Sequence, residues 1–111
     1  MTNRIYSMLG IGRKAGKVFG GEFKTEESVK NGRARLVILA GDASENTKKK
    51  FQNMCTYYRV PCCVYGTKEE IGHAIGLEFR ASVVVTDAGI ADRIADYLKY
   101  GGNLNGKNES P

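Results

Sequence analysis

The stretch Leu36–Ser44, LVILAGDAS, indicates how the rest of the chain folds. Its first five residues, Leu36–Ala40, form an uninterrupted apolar run, which is typical of a strand buried on both faces of a sheet. Two candidate N-cap residues, Asp42 and Ser44, follow the run and predict the start of a long helix. The sequence therefore predicts a buried strand that leads directly into a helix.

The segment before this strand also reads as alternating elements. Apolar residues at helical spacing predict a first helix that begins at about Asn3, which is a good N-cap residue. Val18 and Phe19 are compatible with a very short strand. Glycines on both sides and acidic residues in the first turns then predict a second helix over Glu22–Asn31.

The segment after the strand continues the alternation. VPCCVY and ASVVVTD are predicted strands, and a proline near the start of a strand is tolerated. Thr67 is predicted to cap the helix after the first of them, and either Thr86 or Asp87 the helix after the second. Strands separated by helices indicate an α/β domain with helices on both faces of a small sheet.

Length and composition predict one soluble domain. The chain has 111 residues, and we expect residues 1–100 to form a single domain and the polar tail 101–111 to be disordered. No apolar run approaches the ~18 residues of a membrane span, and the first residues do not resemble a secretory signal. Cys55, Cys62 and Cys63 lie in apolar segments without zinc spacing, so we interpret them as small buried side chains of a cytoplasmic protein.

The positive charge is concentrated in the first half of the chain. Residues 1–50 contain eleven Lys and Arg against five Asp and Glu, whereas residues 51–111 contain six against seven. A basic half is expected in a protein that docks a polyanion, although charge alone is equally compatible with a solubilising surface.

The segment Gly12–Lys24, GRKAGKVFGGEFK, contains four of these cations and four glycines. Gly20 and Gly21 allow close backbone approach at the start of a helix, where free N–H groups favour anions, and we expect Lys14, Lys17 and Lys24 to surround that point. A nucleotide-hydrolysing phosphate loop is excluded because the glycine spacing is one residue short and Val18 replaces the required hydroxyl. Nucleic acid is the predicted ligand.

Residues suited to catalysis are not grouped. His73 is the single histidine and lies in the middle of a predicted helix, and N-capping accounts for acids such as Asp42 and Asp87 that follow strands. An enzyme that uses one of these acids at the edge of the sheet remains a rival interpretation. We expect no enzyme, no metal, no cofactor and no small-molecule substrate.

Three segments carry a resemblance to a known family: LVILAGDASENTKKK, YYRVPCCVYGTKEEIGHAIG and ASVVVTDAGIADRI, preceded by a helix that enters at GGE. Together they resemble the kink-turn RNA-binding superfamily, and within it the bacterial YlxQ-type, ribosomal-protein-like branch. The resemblance implies a three-layer α-β-α sandwich around a mixed four-stranded sheet. It also implies an RNA site at the start of the second helix and the loops beside it.

The resemblance extends to single positions of the RNA site. The family opens its second helix with Gly-x-Asn-Glu and a later lysine; here Gly21 matches, while Phe23, Lys24 and Glu27 stand at the other three positions. Phe23 could stack on a base, or it could anchor a helix with few apolar residues in the core, which we favour. Of the remaining matches, Lys68 and Arg80 correspond to RNA-contacting positions, and Lys48 replaces an apolar residue.

These observations predict a ribosome-associated RNA-binding protein whose partner is structured RNA, with ribosomal RNA as the candidate. The alternative is a protein-interaction or ribosome-assembly adaptor on the same fold that has lost specific RNA reading. The predicted RNA-binding residues are Arg13, Lys14, Lys17, Gly20, Gly21, Glu22, Phe23, Lys24, Lys48, Lys68 and Arg80.

Overall fold

Helices and strands alternate along the chain in this computed structural model, which describes residues 3–100 apart from the side chain of Tyr100. The elements are α1 (Arg4–Lys14), β1 (Val18–Gly20), α2 (Glu22–Lys30), β2 (Leu36–Leu39), α3 (Glu45–Tyr58), β3 (Cys62–Val64), α4 (Lys68–Ala74), β4 (Ser82–Val85) and α5 (Ala88–Tyr100). The predicted order of elements is confirmed. The predicted disordered tail lies outside the described residues.

The four strands form one mixed sheet in the order β1-β4-β2-β3. β2 pairs in parallel with β3, with Val37 opposite Cys62, while β4 runs antiparallel to both β1 and β2. The LVILA strand is therefore central, as its continuous apolar run predicts.

Helices cover both faces of the sheet because the side chains of β2 alternate between them. Leu36 and Ile38 pack toward α1, α4 and α5, whereas Val37 and Leu39 pack toward α2 and α3. The predicted α-β-α sandwich is confirmed. On the α2 face, the hydroxyl oxygens of Thr25 and Ser82 are 3.0 Å apart and both side chains are buried. This hydrogen bond ties α2 to β4.

The structure distinguishes between the candidate caps. Ser44 caps α3, because its Oγ accepts a hydrogen bond from the backbone N–H of Thr47 at 3.1 Å. Asp42 instead accepts from the N–H of Lys68, at 2.8 Å. Asp87 caps α5 through the N–H of Ile90, while the N–H of Thr86 extends the pairing of β4 with β1.

Two predictions of burial are wrong. Phe23 is 73% exposed, since Thr25, Ser28 and Val29 form the face of α2 that packs on the sheet. A residue two positions before Thr25 points to nearly the opposite side of a helix with 3.6 residues per turn. Among the cysteines, Cys55 is buried, but Cys62 and Cys63 are only half-buried because β3 is a short edge strand.

None of the helices in the described chain combines the length and apolar character that a bilayer crossing requires. Within the same residues, no three His, Cys, Asp or Glu side chains come together in a group that could hold a metal ion.

Candidate nucleic-acid interface

A glycine corner, defined as Gly20, Gly21 and Glu22, connects the end of β1 to the start of α2. Gly21 has φ +101°, a conformation that L side chains rarely adopt, and its N–H donates to the carbonyl oxygen of Ser82 at 2.9 Å. A Cβ atom on Gly20 would lie 2.6 Å from Cδ1 of Ile75. The φ of Gly21 therefore favours glycine, a larger residue at Gly20 would have to displace the end of the Ile75 side chain, and the corner is fixed against the start of β4.

The N-terminus of α2 is open. Gly21 offers no side-chain acceptor, whereas Asn3, Ser44, Thr67 and Asp87 cap the other four helices of the described chain. The first N–H groups of a helix have no partner inside the helix, and the helix dipole makes this end partly positive. The start of α2 can therefore accept an anionic group from outside the protein.

Arg80 lies across the corner. Its Cγ is 3.4 Å from the position that a Cβ on Gly20 would take, and its Nη1 donates to the carbonyl oxygen of Phe79 at 2.8 Å. The N–H of Arg80 donates to the carbonyl oxygen of Lys68, which brings the start of α4 to the same place. Neither Arg80 nor Lys68 forms an ion pair within residues 3–100. Both charges are available to a ligand.

Two exposed aromatic side chains belong to the segments that form this end of the molecule. Phe23 lies in the first turn of α2, and Phe79, which is 65% exposed, precedes Arg80 in the loop before β4. Phe79 and Arg80 also line an open cavity of about 480 Å³ together with His73. Phe79 is not among the residues predicted from the sequence; the signal for it is a single aromatic residue next to an arginine in a loop.

The remaining predicted cations do not converge on the corner. Lys24 is close to it, one turn along α2, with its Nζ 3.5 Å from Oε1 of Glu27 and 5.7 Å from the ring centroid of Phe19. Lys17 lies at the other end of β1. Arg13 and Lys14 line a cavity of about 530 Å³ beside the end of α4. The expectation that the lysines surround Gly20 and Gly21 is thus met only by Lys24.

Pairing neutralises part of the positive charge of α2 and α3. The side chain of Lys48 is 19% exposed, and its Nζ lies 3.5 Å from Oε2 of Glu45 in the same helix. Glu26 accepts hydrogen bonds from Lys30 and Lys50, which lower the pKa of its carboxyl group. These surface pairs are individually weak, but they reduce the positive charge that α2 and α3 present to a ligand.

Comparison with known proteins places the chain in a family. The model of the ribosomal protein L7Ae/L30e/S12e/Gadd45 family matches residues 3–94. The RNA-binding protein YlxQ of Bacillus subtilis is 40% identical over 93 residues, which cover 84% of this chain and 93% of that protein. The large ribosomal subunit protein eL30 of Methanosarcina mazei is 37% identical over 84 residues, covering 74% and 78%.

A solved structure agrees with this result. A protein of unknown function from Bacillus halodurans superposes with a TM-score of 0.82 at 36% sequence identity, covering 86% of this chain and 96% of that one. The sequence match extends from before α1 into α5, so it includes the glycine corner and every strand of the sheet. The chain therefore belongs to the ribosomal protein L7Ae/L30e/S12e/Gadd45 family.

Proposed function

We propose that this chain is a non-catalytic, cytoplasmic RNA-binding protein that holds structured RNA at the glycine corner. One observation carries the proposal: the single uncapped helix start of the described chain lies beside two unpaired cations, Arg80 and Lys68. The B. subtilis relative is called an RNA-binding protein, and the M. mazei relative is a ribosomal protein. These names support RNA as the ligand and the ribosome as the place of action.

The corner supplies the groups that hold RNA. A phosphate oxygen at the start of α2 receives hydrogen bonds from backbone N–H groups of the first turn, beginning at Glu22. Arg80, in the loop that crosses the corner, contacts a nucleotide turned out of the stack. Phe23 and Phe79 each offer a ring on which such a base can stack, a contact worth about 1–3 kcal/mol.

The other predicted cations act at longer range. Arg13, Lys14 and Lys17 are exposed, and Lys24 and Lys68 lie nearer the corner. Together they attract the RNA backbone, so the affinity for structured RNA falls as the salt concentration rises. Lys48 contributes least, because it is half-buried and paired with Glu45.

Recognition of a kink-turn is the finer part of the proposal. Phe23 and Lys24 stand where the family motif has asparagine and glutamate, so two side chains that hydrogen-bond to base edges are absent. An exposed ring and a flexible cation at these positions favour stacking and phosphate contacts over base reading. We expect kink-turn RNA to be preferred through its bent shape and its unstacked bases.

A binding titration tests both levels of the proposal. The full chain is titrated with one kink-turn RNA and with a straight RNA duplex of equal length, at several salt concentrations. Tighter binding of the kink-turn supports shape recognition, whereas equal affinity means that the protein binds polyanions without preference. Binding to neither RNA, together with capture of a ribosomal protein, would favour the adaptor on the same fold.

A further inference from the structure

A basic groove runs along the flank of α2, away from the glycine corner. It has a volume of about 570 Å³ and lies between α2, the segment that leads into β1, and the loop that follows α2. Its cations are Lys17, Lys24, Arg33 and Arg35, and among the described residues that line it Glu27 is the one acid. We call this feature the α2 groove. The groove is strongly positive.

The cations of the groove are largely free of protein partners. Arg33 is exposed and, like Lys17, forms no ion pair within residues 3–100. Arg35 is positioned by carbonyl groups: its Nη1 donates to the oxygens of Gly32 and Ala34 at 3.0 and 3.3 Å. Carbonyl partners hold a guanidinium group in place without cancelling its charge. Apart from Lys24, whose Nζ lies 3.5 Å from Oε1 of Glu27, the cations of the groove therefore keep their positive charge, and that of Arg35 is held in place.

The loop after α2 gives the groove a defined end. The N–H of Arg33 donates to the carbonyl oxygen of Ser28 and to Oδ1 of Asn31, and Gly32 has φ +84°. Ser28 and Asn31 also face the groove, so hydroxyl and amide groups accompany the cations. This lining matches the side chains that proteins use to contact phosphate oxygens.

The dimensions of the groove favour a chain of phosphates over one small anion. Lys24 and Asn31 are seven residues apart on α2, which corresponds to about 10 Å at 1.5 Å per residue. One strand of a duplex places a phosphate roughly every 3.4 Å along the helix axis, and an extended single strand spaces its phosphates more widely. The groove is thus long enough for about two consecutive phosphates of such a strand.

We propose that the α2 groove is a second RNA contact, which takes the backbone of a strand leaving the glycine corner. The proposal rests on the proposed function, because the strand is delivered from the corner. Lys24 joins the two sites: it lies one turn from Gly21 and also lines the groove. The corner holds the folded part of the RNA, and the groove holds a single-stranded extension without reading its sequence.

The test compares two RNAs that differ in one extension. The first is a kink-turn RNA, called the short RNA, and the second is the same RNA with eight additional uridines on one strand. We expect the wild-type chain to bind the extended RNA about tenfold more tightly at moderate salt, because the groove adds phosphate contacts. The affinity for the extended RNA should also fall more steeply with salt, since each phosphate contact adds roughly 0.7 to the slope of log affinity against log salt concentration. Measurement is by fluorescence anisotropy.

Two variants remove the groove charge. Arg33→Gln changes an exposed side chain without an ion pair, and the double variant Arg33→Gln with Arg35→Gln removes two cations. We expect the double variant to lose the advantage of the extended RNA and to bind the short RNA like the wild type. If its melting temperature falls, Arg33→Gln alone should still lose about half of the advantage on a logarithmic scale.

The control variant removes the same charge elsewhere. Lys49→Gln with Arg93→Gln changes two exposed cations on α3 and α5, and it should retain the preference for the extended RNA. Equal wild-type affinity for both RNAs would overturn the groove proposal while leaving the corner intact. A glutamate-rich peptide that binds the groove in place of the uridines would also overturn it. Binding of neither RNA would overturn the corner and the groove together.

Discussion

The starts of α2 and α4 lie at the same end of the sheet, but side chains cap the start of α4 and none caps the start of α2. At α4, the Thr67 side chain accepts from the N–H of Glu70, the Glu70 carboxylate accepts from the N–H of Thr67, and Asp42 accepts from the N–H of Lys68. At α2, Gly21 provides no side-chain acceptor. One helix start is closed by the protein, and the other is left open to a ligand.

The closed start has an additional support that the open one lacks. Oε1 of Glu70 also accepts a hydrogen bond from the hydroxyl group of Tyr6 at 2.9 Å, so α1 holds the capping box from the side. Substitutions at the start of α4 should therefore change stability and leave RNA binding nearly unchanged, whereas substitutions at the start of α2 should weaken RNA binding. The difference between the two helix starts can be tested by substitutions at each of them.

The largest effect is expected from Gly21→Ala. A φ of +101° is strained for alanine, so we expect a loss of about 2 kcal/mol in the free energy of unfolding and at least a tenfold loss of affinity for the short RNA. Denaturant unfolding and anisotropy measure the two quantities. Gly16→Ala is the matched control, because Gly16 also has a positive φ, +74°, but lies at the other end of β1. A Gly16→Ala variant with the same loss of affinity would contradict the prediction.

The next effect concerns the exposed ring at the open start. Phe23→Ala should weaken binding of the short RNA by about 1.5 kcal/mol through lost stacking, with little change in stability because the ring is 73% exposed. Tyr57→Ala serves as the control, since Tyr57 is 79% exposed in the last turn of α3. Equal effects of the two variants on binding would mean that Phe23 does not stack on RNA.

Breaking the closed start should have a smaller effect, and a different one. Thr67→Ala removes the N-cap side chain of α4, for which we expect a loss of about 1 kcal/mol in the free energy of unfolding. Affinity for the short RNA should stay within twofold of the wild type. Thr67→Ser, which retains the hydroxyl group, should restore most of the stability. A stable Thr67→Ala variant that binds RNA poorly would reverse the roles assigned to the two helix starts.

The smallest effect is a dependence of stability on pH. Burial, together with the hydrogen bond to Glu70, raises the pKa of Tyr6 above its ordinary value. A raised pKa in the folded state means that its stabilising contribution is present below about pH 10 and is lost as the pH rises further. Tyr6→Phe should therefore cost about 0.5–1 kcal/mol near pH 7 and progressively less above pH 10. Denaturant unfolding at pH 7 and pH 10.5 measures the difference, and a constant cost would exclude titration of Tyr6.

The sequence predicts most of the fold because its local signals agree with its tertiary structure. LVILA is a central strand, and Asn3, Ser44, Thr67 and Asp87 cap helices as N-cap preferences predict. Asp42 shows the limit of this reasoning: an acid after a strand satisfies any nearby N–H group. Its actual partner, Lys68, is 26 residues away in the chain, and only the sheet brings the two together.

The candidate interface is less predictable, because it depends on which way side chains point. The small number of apolar residues in α2 favours Phe23 for the core, but buried Thr25 and Ser28 occupy that face instead. Arg33 and Arg35 have no distinguishing signal in the sequence, because they meet Lys17 only after β1 and α2 fold together. The glycine corner was identified correctly as a helix start, since Gly20 and Gly21 act through local backbone geometry.

The buried hydroxyl pair of Thr25 and Ser82 has a consequence for the precision of the open helix start. Apolar contacts alone would tolerate small sliding or rotation of α2 on the sheet, because they have no preferred direction. A directional hydrogen bond inside an apolar layer fixes the position of α2 on the sheet, since any shift would leave two hydroxyl groups without partners and far from water. The distance between the first turn of α2 and the Arg80 loop is therefore fixed by the Thr25–Ser82 hydrogen bond, which is buried and touches no ligand.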